Sequence, residues 1–299
     1  MTQRIIPNIW CDRTAEEAGA FYETVFDGAR SRVVARYPTE GLPDFQKGFE
    51  GLPVVVDVTL DDDFRISLIN AGAEYRPTPG ISLLVNVDPG RFGGDEQAAR
   101  AWINHAWTLL AEHDRVIMDI GEYSFSPLYG WVEDQYGVSW QFKLLRPDAD
   151  PIARYMPMLT FGADSRDEAP QALALYTSTF PDAEVGRILD YVVSGTGEEI
   201  VYTEFRLAGQ QLSMMASPED VEASFTPGVS LLVRCDGQEE IDRLWEALSA
   251  VPDAEACGWL VDRFGVSWQI VPADLDALLA RPGVYGRMLR MTRIVIADL

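Results

Sequence analysis

The chain has 299 residues, 47% of them apolar, which is enough to form a buried core in each of two domains. Its net charge of −23 disfavours nucleic acid and anionic membrane surfaces as partners. No apolar run approaches the roughly 20 residues of a membrane-spanning helix, so we expect a cytoplasmic protein without a membrane partner.

Periodicity predicts a strand, a helix and three further strands at the start of the chain. Thr14 and Glu17 have the spacing of a capping box, and the helix is expected to end at Gly28. The same order then begins again with a second helix over 95–112. The alternating, β-branched segments that we predict as strands in this half are 5–11, 32–37, 54–60, 65–70, 81–87, 116–123, 131–134 and 139–144.

The second half repeats this order after a charged, proline-bearing segment at 146–151. Two further helices are expected to begin near Ser165 and Asp236. We therefore predict domains at 1–146 and 155–299, a linker at 147–154, and four βαβββ modules in all. The strands predicted here cover 155–161, 188–193, 200–207, 211–215 and 228–233, with a closing hairpin within 258–269.

One twelve-residue block occurs twice and indicates that a whole domain has been duplicated. It reads GWVEDQYGVSWQ at 130–141 and GWLVDRFGVSWQ at 258–269. The strand GISLLV at 80–85 also recurs, as GVSLLV at 228–233. Within the block, we expect Asp134 and Asp262 to brace the turns that precede the two glycines.

The order of elements and several motifs resemble the vicinal oxygen chelate superfamily, which includes glyoxalase, bleomycin-resistance and dioxygenase proteins. Within it, the chain resembles the PhnB-like branch that is often labelled 3-demethylubiquinone-9 3-methyltransferase-like. The resemblance implies an α+β fold of tandem domains, with paired modules, curved mixed or antiparallel sheets and a small-molecule cavity in each domain. It does not fix a reaction. The segments that carry it are IWCD at 9–12, AEEA at 15–18, FY at 21–22, and residues 235–245, 257–269 and 290–299.

Metal-dependent members of this superfamily place His, Glu or Gln ligands on the first, fourth, fifth and eighth strands of the paired modules. None of the matching positions that we can assign is a histidine or a carboxylate, so we predict no metal and no cofactor. His105 and His113 lie about 80° apart around one predicted helix and would not converge on an ion. The matching positions fall near Asn8, Met158, Ser82, Ser230, Gln141 and Gln269.

Other catalytic signals are weak, and we assign no catalytic residue. Ser139 and Ser267 have no histidine in the repeated pattern. The segment 90–94 lacks the spacing of a phosphate loop, and no glycine-rich, doubly wound βαβ unit supports methyl transfer. The three cysteines are widely spaced and fit core packing better than a disulfide framework or a zinc site.

We therefore predict a metal-independent protein that binds a small organic molecule and need not be catalytic. An alternative is a lyase, isomerase or dioxygenase-like enzyme whose metal ligands are not located. A second alternative is a structural fusion without a working pocket, in which modules pair within the chain; a homodimer also stays open. The predicted ligand-binding residues are Asn8, Ser82, Trp140, Gln141, Ser230, Trp268 and Gln269.

Overall fold

The computed structural model describes residues 3–61, 63–112, 115–192, 199–216 and 223–299. In this part of the chain the predicted unit of one strand, one helix and further strands recurs, and we number its copies modules 1 to 4. Module 1 comprises β1 (Ile5–Cys11), α1 (Ala15–Val25), β2 (Arg30–Arg36), β3 (Pro53–Leu60) and β4 (Phe64–Asn70). Module 2 comprises β5 (Ile81–Val87), α2 (Glu96–Leu110), β6 (Val116–Tyr123), β7 (Ser126–Glu133) and β8 (Ser139–Leu144).

The second half is built in the same way but ends with a shorter module. After α4, residues 249–258 form a 3₁₀ turn at Pro252–Ala254 in place of a first returning strand. The connection is also shorter, because ten residues (249–258) join α4 to β14, whereas fifteen (111–125) join α2 to β7. Module 3 comprises β9 (Tyr155–Phe161), α3 (Ala169–Thr179), β10 (Glu184–Val192), β11 (Glu199–Leu207) and β12 (Gln210–Ala216); module 4 comprises β13 (Val229–Cys235), α4 (Gln238–Leu248), β14 (Trp259–Val261) and β15 (Ser267–Pro272).

Most predicted strand bounds are confirmed to within two residues, whereas the predicted caps are not. Thr14 precedes α1 but makes no side-chain capping bond, and neither does Ser165 before the turn that leads into α3. Asp95 is the residue that does cap a helix, since its carboxylate accepts from the N–H groups of Gln97 and Ala98. Part of the strand predicted at 188–193 lies outside the described residues, as does His113.

The strands form two mixed sheets, each of which combines one module from each half of the chain. Sheet A has seven strands in the order β14-β15-β13-β1-β4-β3-β2, and sheet B has eight in the order β10-β11-β12-β9-β5-β8-β7-β6. Modules 1 and 4 join through antiparallel β1 and β13, and modules 2 and 3 through antiparallel β5 and β9. The predicted domains at 1–146 and 155–299 each contain one copy of the sequence repeat. Each sheet, however, contains strands from both sides of the predicted linker at 147–154.

Alternation along each strand places one face of both sheets against the helices. In β1 this face carries Ile5, Ile9 and Cys11, which belong to the large apolar core together with α1. The residues between them, including Asn8 and Trp10, lie on the opposite face. The same alternation holds in β8, where Trp140 and Phe142 face the helices and Gln141 does not.

A C-terminal segment that was not predicted follows the last strand. It contains two short helices, α5 (Leu275–Leu279) and α6 (Val284–Met288). Its end is fixed to module 4, because the N–H groups of Cys257 and Gly258 donate to the carbonyls of Met291 and Thr292 at 2.7 and 2.8 Å. On the other side, the hydroxyl of Tyr285 receives a hydrogen bond from Gln46 Nε2 of module 1 at 2.8 Å. The segment therefore connects module 4 to module 1.

Two loops that precede the repeated strands of modules 2 and 4 pack against each other. Thr78 Oγ1 donates to the carbonyl of Ser224, and Thr226 Oγ1 donates to the carbonyl of Arg76 at 3.0 Å. Gly228 lies so close to Arg76 that an added Cβ would overlap its carbonyl oxygen. The repeated Thr-Pro-Gly sequences are thus the contact between the two sheets at this point.

Replacing Gly228 with alanine should lower the free energy of unfolding by about 2 kcal/mol, because the backbone of Arg76 must move. Chemical denaturation measures this change. Gly237→Ala is the matched control, since φ there is 177° and nothing lies within 4 Å of the new Cβ. Equal stability of the two variants would contradict the close packing of the loops.

Candidate functional site

The face of each sheet that lies opposite the helices is strongly concave. Trp10 in β1 and Trp259 in β14 are three strands apart, which is about 14 Å in a flat sheet. Their ring centroids are nevertheless 6.0 Å apart. In sheet B, Lys143 Nζ lies 5.1 Å from the ring centroid of Tyr202, although four strand spacings separate β8 from β11. Both sheets therefore curl around an interior.

In sheet A, three predicted site residues converge on this concave face. Asn8 lies opposite Ser230 of β13 and, on its other side, opposite Ser67 of β4. Gln269 Nε2 donates to Ser230 Oγ at 2.9 Å. Asn8 is only 2% exposed, and its Oδ1 has no hydrogen-bond partner among the described residues. The strands thus bring together Asn8, Ser230 and Gln269.

Sheet B repeats this arrangement with different chemistry. Met158 takes the position of Asn8 and lies opposite Ser82 and Ser213. Gln141 Nε2 donates to Ser82 Oγ at 2.7 Å, and Gln141 Oε1 accepts from the hydroxyl of Tyr129 at 2.7 Å. The Gln141 amide is therefore held in one orientation.

The concave face of sheet B carries an apolar cluster that is separate from the core behind the helices. Its buried members are three methionines, three aromatic residues and one leucine. Methionine side chains adapt to irregular shapes, and aromatic rings offer flat apolar surface. The buried members are Leu84, Tyr129, Trp131, Met156, Met158, Tyr202 and Met215.

Two polar side chains adjoin this apolar cluster. Burial lowers the pKa of Lys143, and the charge of Glu204 opposes that shift. Ser213 is fully buried, and its hydroxyl has no hydrogen-bond partner among the described residues. A buried hydroxyl without a partner is costly, so a group that binds it here would recover that free energy.

Trp140 and Trp268, which the sequence placed in the ligand set, lie on the other face of the sheets. Both are 0% exposed and pack among the helices, against Tyr22 and Tyr176 respectively. Their neighbours Gln141 and Gln269 point the opposite way, as adjacent strand residues must. The two tryptophans are therefore not part of the site that we develop below; Trp131 and Trp259 face the interior.

The prediction that Asp134 and Asp262 brace their turns is confirmed in both copies. Asp134 Oδ1 accepts from the N–H groups of Tyr136 and Val138, and Oδ2 accepts from Trp140 Nε1 and the Tyr22 hydroxyl. Asp262 has the same four kinds of donor. Burial raises the pKa of Asp134 to about 6, although these donors act in the opposite direction.

The donors on the concave faces do not fit a divalent metal ion. At the four positions of sheet A stand Asn8, Ser67, Ser230 and Gln269, all of them neutral. Sheet B offers a thioether, two hydroxyls and an amide, and Gln141 Oε1 is already bonded to Tyr129. Divalent ions in proteins are usually held by charged carboxylate or thiolate donors or by imidazole. No group of three or more His, Cys, Asp or Glu residues that could hold an ion occurs in the described part of the chain.

Several residues of these faces were missed in the sequence. Ser67 and Ser213 follow an aliphatic residue in the fourth strand of modules 1 and 3, so alignment of the modules could have found them. Tyr129 lies in β7, which is longer than predicted. Lys143 is two residues after Gln141 and therefore on the same face, which the alternation alone would have shown.

Comparison with known proteins agrees with the overall fold. The family model described as 3-demethylubiquinone-9 3-methyltransferase matches residues 3–143 and 153–271. The PhnB protein from Bacillus cereus is 30% identical over 48% of this chain and 100% of its own, with a TM-score of 0.40. Glyoxalase I from Zea mays is 11% identical over 92% of this chain and 95% of its own, with a TM-score of 0.52.

A point mutant of the Zea mays glyoxalase I gives a TM-score of 0.53 at 12% identity, over 92% of this chain and 95% of its own. At such identities the likeness concerns the fold alone. A search of curated proteins gives no match. None of the helices in the described ranges has the length and apolar character that crossing a membrane requires.

Proposed function

This chain belongs to the family described as 3-demethylubiquinone-9 3-methyltransferase, and on that premise we propose that it binds a small, planar organic molecule without a metal ion. The proposed site is the concave face of sheet B. The observation that carries the proposal is the second apolar cluster, which faces the interior of the sheet and not the helices. Ligand sites are typically apolar, with few polar groups that fix orientation.

The polar groups that adjoin the cluster would make the hydrogen bonds and charge contacts to such a molecule. Gln141 is fixed by Ser82 and Tyr129, so it presents a rigid edge to the interior. The Ser213 hydroxyl would gain its missing partner from the ligand. Lys143 supplies a cation for an acceptor group, and Trp131 and Tyr202 supply flat surfaces.

We propose neither metal chemistry nor methyl transfer for this site. The neutral amide, hydroxyl and thioether donors lack the charge that would hold a divalent ion. The described strands form mixed, largely antiparallel sheets, without the doubly wound parallel order whose first glycine-rich turn binds a nucleotide cofactor. What supports binding is the chemistry of the face itself, and no reaction step follows from it.

Ser213→Ala is the sharpest test, because this hydroxyl has no partner among the described residues and its loss removes no hydrogen bond from the fold. A thermal-shift screen of planar aromatic compounds should identify ligands that stabilise the wild-type protein. For such a ligand, we expect Ser213→Ala to weaken binding about tenfold, while the free protein stays at least as stable because a costly unpartnered hydroxyl is removed. Calorimetric titration measures the affinity.

Gln269→Leu is the control for Gln141→Leu, since Gln269 occupies the equivalent position in sheet A. Its affinity for the ligand should equal that of the wild type. Failure to find any ligand in a broad library, or a ligand whose affinity is insensitive to Ser213→Ala and Gln141→Leu, would favour a structural fusion. Stoichiometric zinc, nickel, iron or manganese in protein purified without chelator would overturn the metal-free proposal.

A further inference from the structure

A cavity of about 510 Å³ lies between the segment 38–43 of module 1 and helix α6. None of the predicted ligand-binding residues lines it. Its size falls within the usual range for sites that bind small molecules. The residues that matter for its chemistry are Pro38, Leu42, Pro43, Tyr285, Leu289 and Arg290.

Hydrogen bonds of neighbouring residues hold both walls of this cavity. The residue that precedes the first wall, Tyr37, donates its hydroxyl proton to the carbonyl of Asn70 at 2.6 Å. In the second wall, Arg287 donates through Nε to the carbonyl of Leu299 at 3.2 Å, which holds the chain end beside α6. The bond between Gln46 and Tyr285 joins the two walls.

The two polar side chains that line the cavity can both donate hydrogen bonds. Arg290 makes no ion pair with any carboxylate in the described part of the chain, although acidic residues number 47 and basic residues 24. The second donor is the Tyr285 hydroxyl. Burial raises the pKa of Tyr285, so this hydroxyl stays protonated at neutral pH. Two donors beside proline and leucine walls match an anion attached to an apolar body.

We propose that this cavity binds a small organic acid whose carboxylate lies between Arg290 and Tyr285 and whose apolar body lies against the proline and leucine residues. The site is independent of the proposed concave-face site. Because the two walls come from opposite ends of the chain, such a ligand would also tie the C-terminal segment to module 1.

The test compares 4-phenylbutyrate with 4-phenylbutanamide, which have the same body and differ in the charge of the head group. In the full-length wild-type protein, calorimetry should show at least tenfold tighter binding of the acid. Arg290→Gln should remove this preference, and Tyr285→Phe should weaken acid binding severalfold. Arg281→Gln removes the same charge from the same segment without lining the cavity, so it should retain the wild-type preference.

Equal affinity of the wild-type protein for the acid and the amide would overturn the proposal, as would undetectable binding of both at millimolar concentration. An unchanged preference in Arg290→Gln would overturn it as well. Ser213→Ala distinguishes the two sites, because it should leave binding of 4-phenylbutyrate unaffected. If it weakens this binding, the acid occupies sheet B and the separate site is disproved.

Discussion

Replacing Asp134 with alanine is expected to lower the free energy of unfolding by about 4 kcal/mol, because four donors, three of them in buried hydrogen bonds, lose their acceptor. Two of these donors are backbone N–H groups in the turn of the hairpin, and the other two are the Trp140 indole and the Tyr22 hydroxyl. The carboxylate therefore joins α1 to the β7–β8 hairpin. Urea denaturation of both proteins measures the difference.

The effect of this substitution should also depend on pH. Since burial raises the pKa of Asp134 to about 6, the folded protein holds this proton more tightly than the unfolded chain. The protonated carboxyl thus stabilises the fold below about pH 4, and this contribution is lost as the pH rises through 6. Alanine does not titrate, so the stability difference between wild type and variant should be larger at pH 4 than at pH 7.

Asp262→Ala should reproduce the loss, because Asp262 accepts from the equivalent four donors and burial raises its pKa too. Asp253→Ala is the control for removal of an exposed carboxylate and should change stability by less than about 0.5 kcal/mol. A variant at Asp134 as stable as this control would show that the brace does not hold the hairpin. A pH-independent difference would show that the carboxyl titrates normally.

Arg154→Met is expected to lower the free energy of unfolding by about 3 kcal/mol, since it breaks a largely buried ion pair. Arg154 Nη1 lies 2.9 and 3.1 Å from the two carboxylate oxygens of Asp61. Its guanidinium also lies over the rings of Trp102 and Tyr155, at 4.7 and 5.3 Å from their centroids. Loss of the cation leaves Asp61 with Arg91 as its ion-pair partner.

A double-mutant cycle with Asp61→Asn separates the ion pair from the ring contacts. If the pair dominates, the two substitutions together should cost much less than the sum of their separate effects. Arg187→Met is the matched control, because Arg187 and Asp150 form an exposed pair worth less than about 0.5 kcal/mol. Strict additivity in the cycle would show that Arg154 acts through packing alone.

The local structure could be predicted because each element depends on nearby residues. Alternation in segments such as 81–87 and the helical period of 95–112 were sufficient for β5 and α2. The turn brace was predictable too, since an aspartate three residues before a glycine has few other roles. This turn signal occurs twice, at Asp134 and at Asp262, and the duplication made it easier to recognise.

The partners of the modules could not be predicted in the same way. The strands GISLLV at 80–85 and GVSLLV at 228–233 are nearly identical, so their composition does not say that β5 pairs with β9 and β13 with β1. Pairing depends on the path of the connections between modules. The C-terminal helix α6 was missed for a related reason, since it is short and its contacts with Gln46 are long-range.

The tryptophans of the repeated block show a different limit. Trp140 and Gln141 are adjacent members of the repeated block, and we placed both in the predicted ligand-binding set. Adjacent residues of a strand lie on opposite faces of the sheet. The Gln141 amide therefore lies on the concave face, and the Trp140 indole packs in the core beneath the helices. Recurrence alone does not distinguish a residue that the fold needs from one that a ligand needs.

The pairing of module 1 with module 4 also affects how the protein is made. A chain synthesised from its N-terminus has every strand of sheet B once residue 216 is added, but sheet A stays incomplete until β15 ends at Pro272. Strand β1 must wait for β13, since 222 positions separate Asn8 from Ser230. During that time its free edge exposes unpaired backbone groups, which can pair with other chains. Module 1, although it is synthesised before modules 2 and 3, is thus among the last parts that can finish folding.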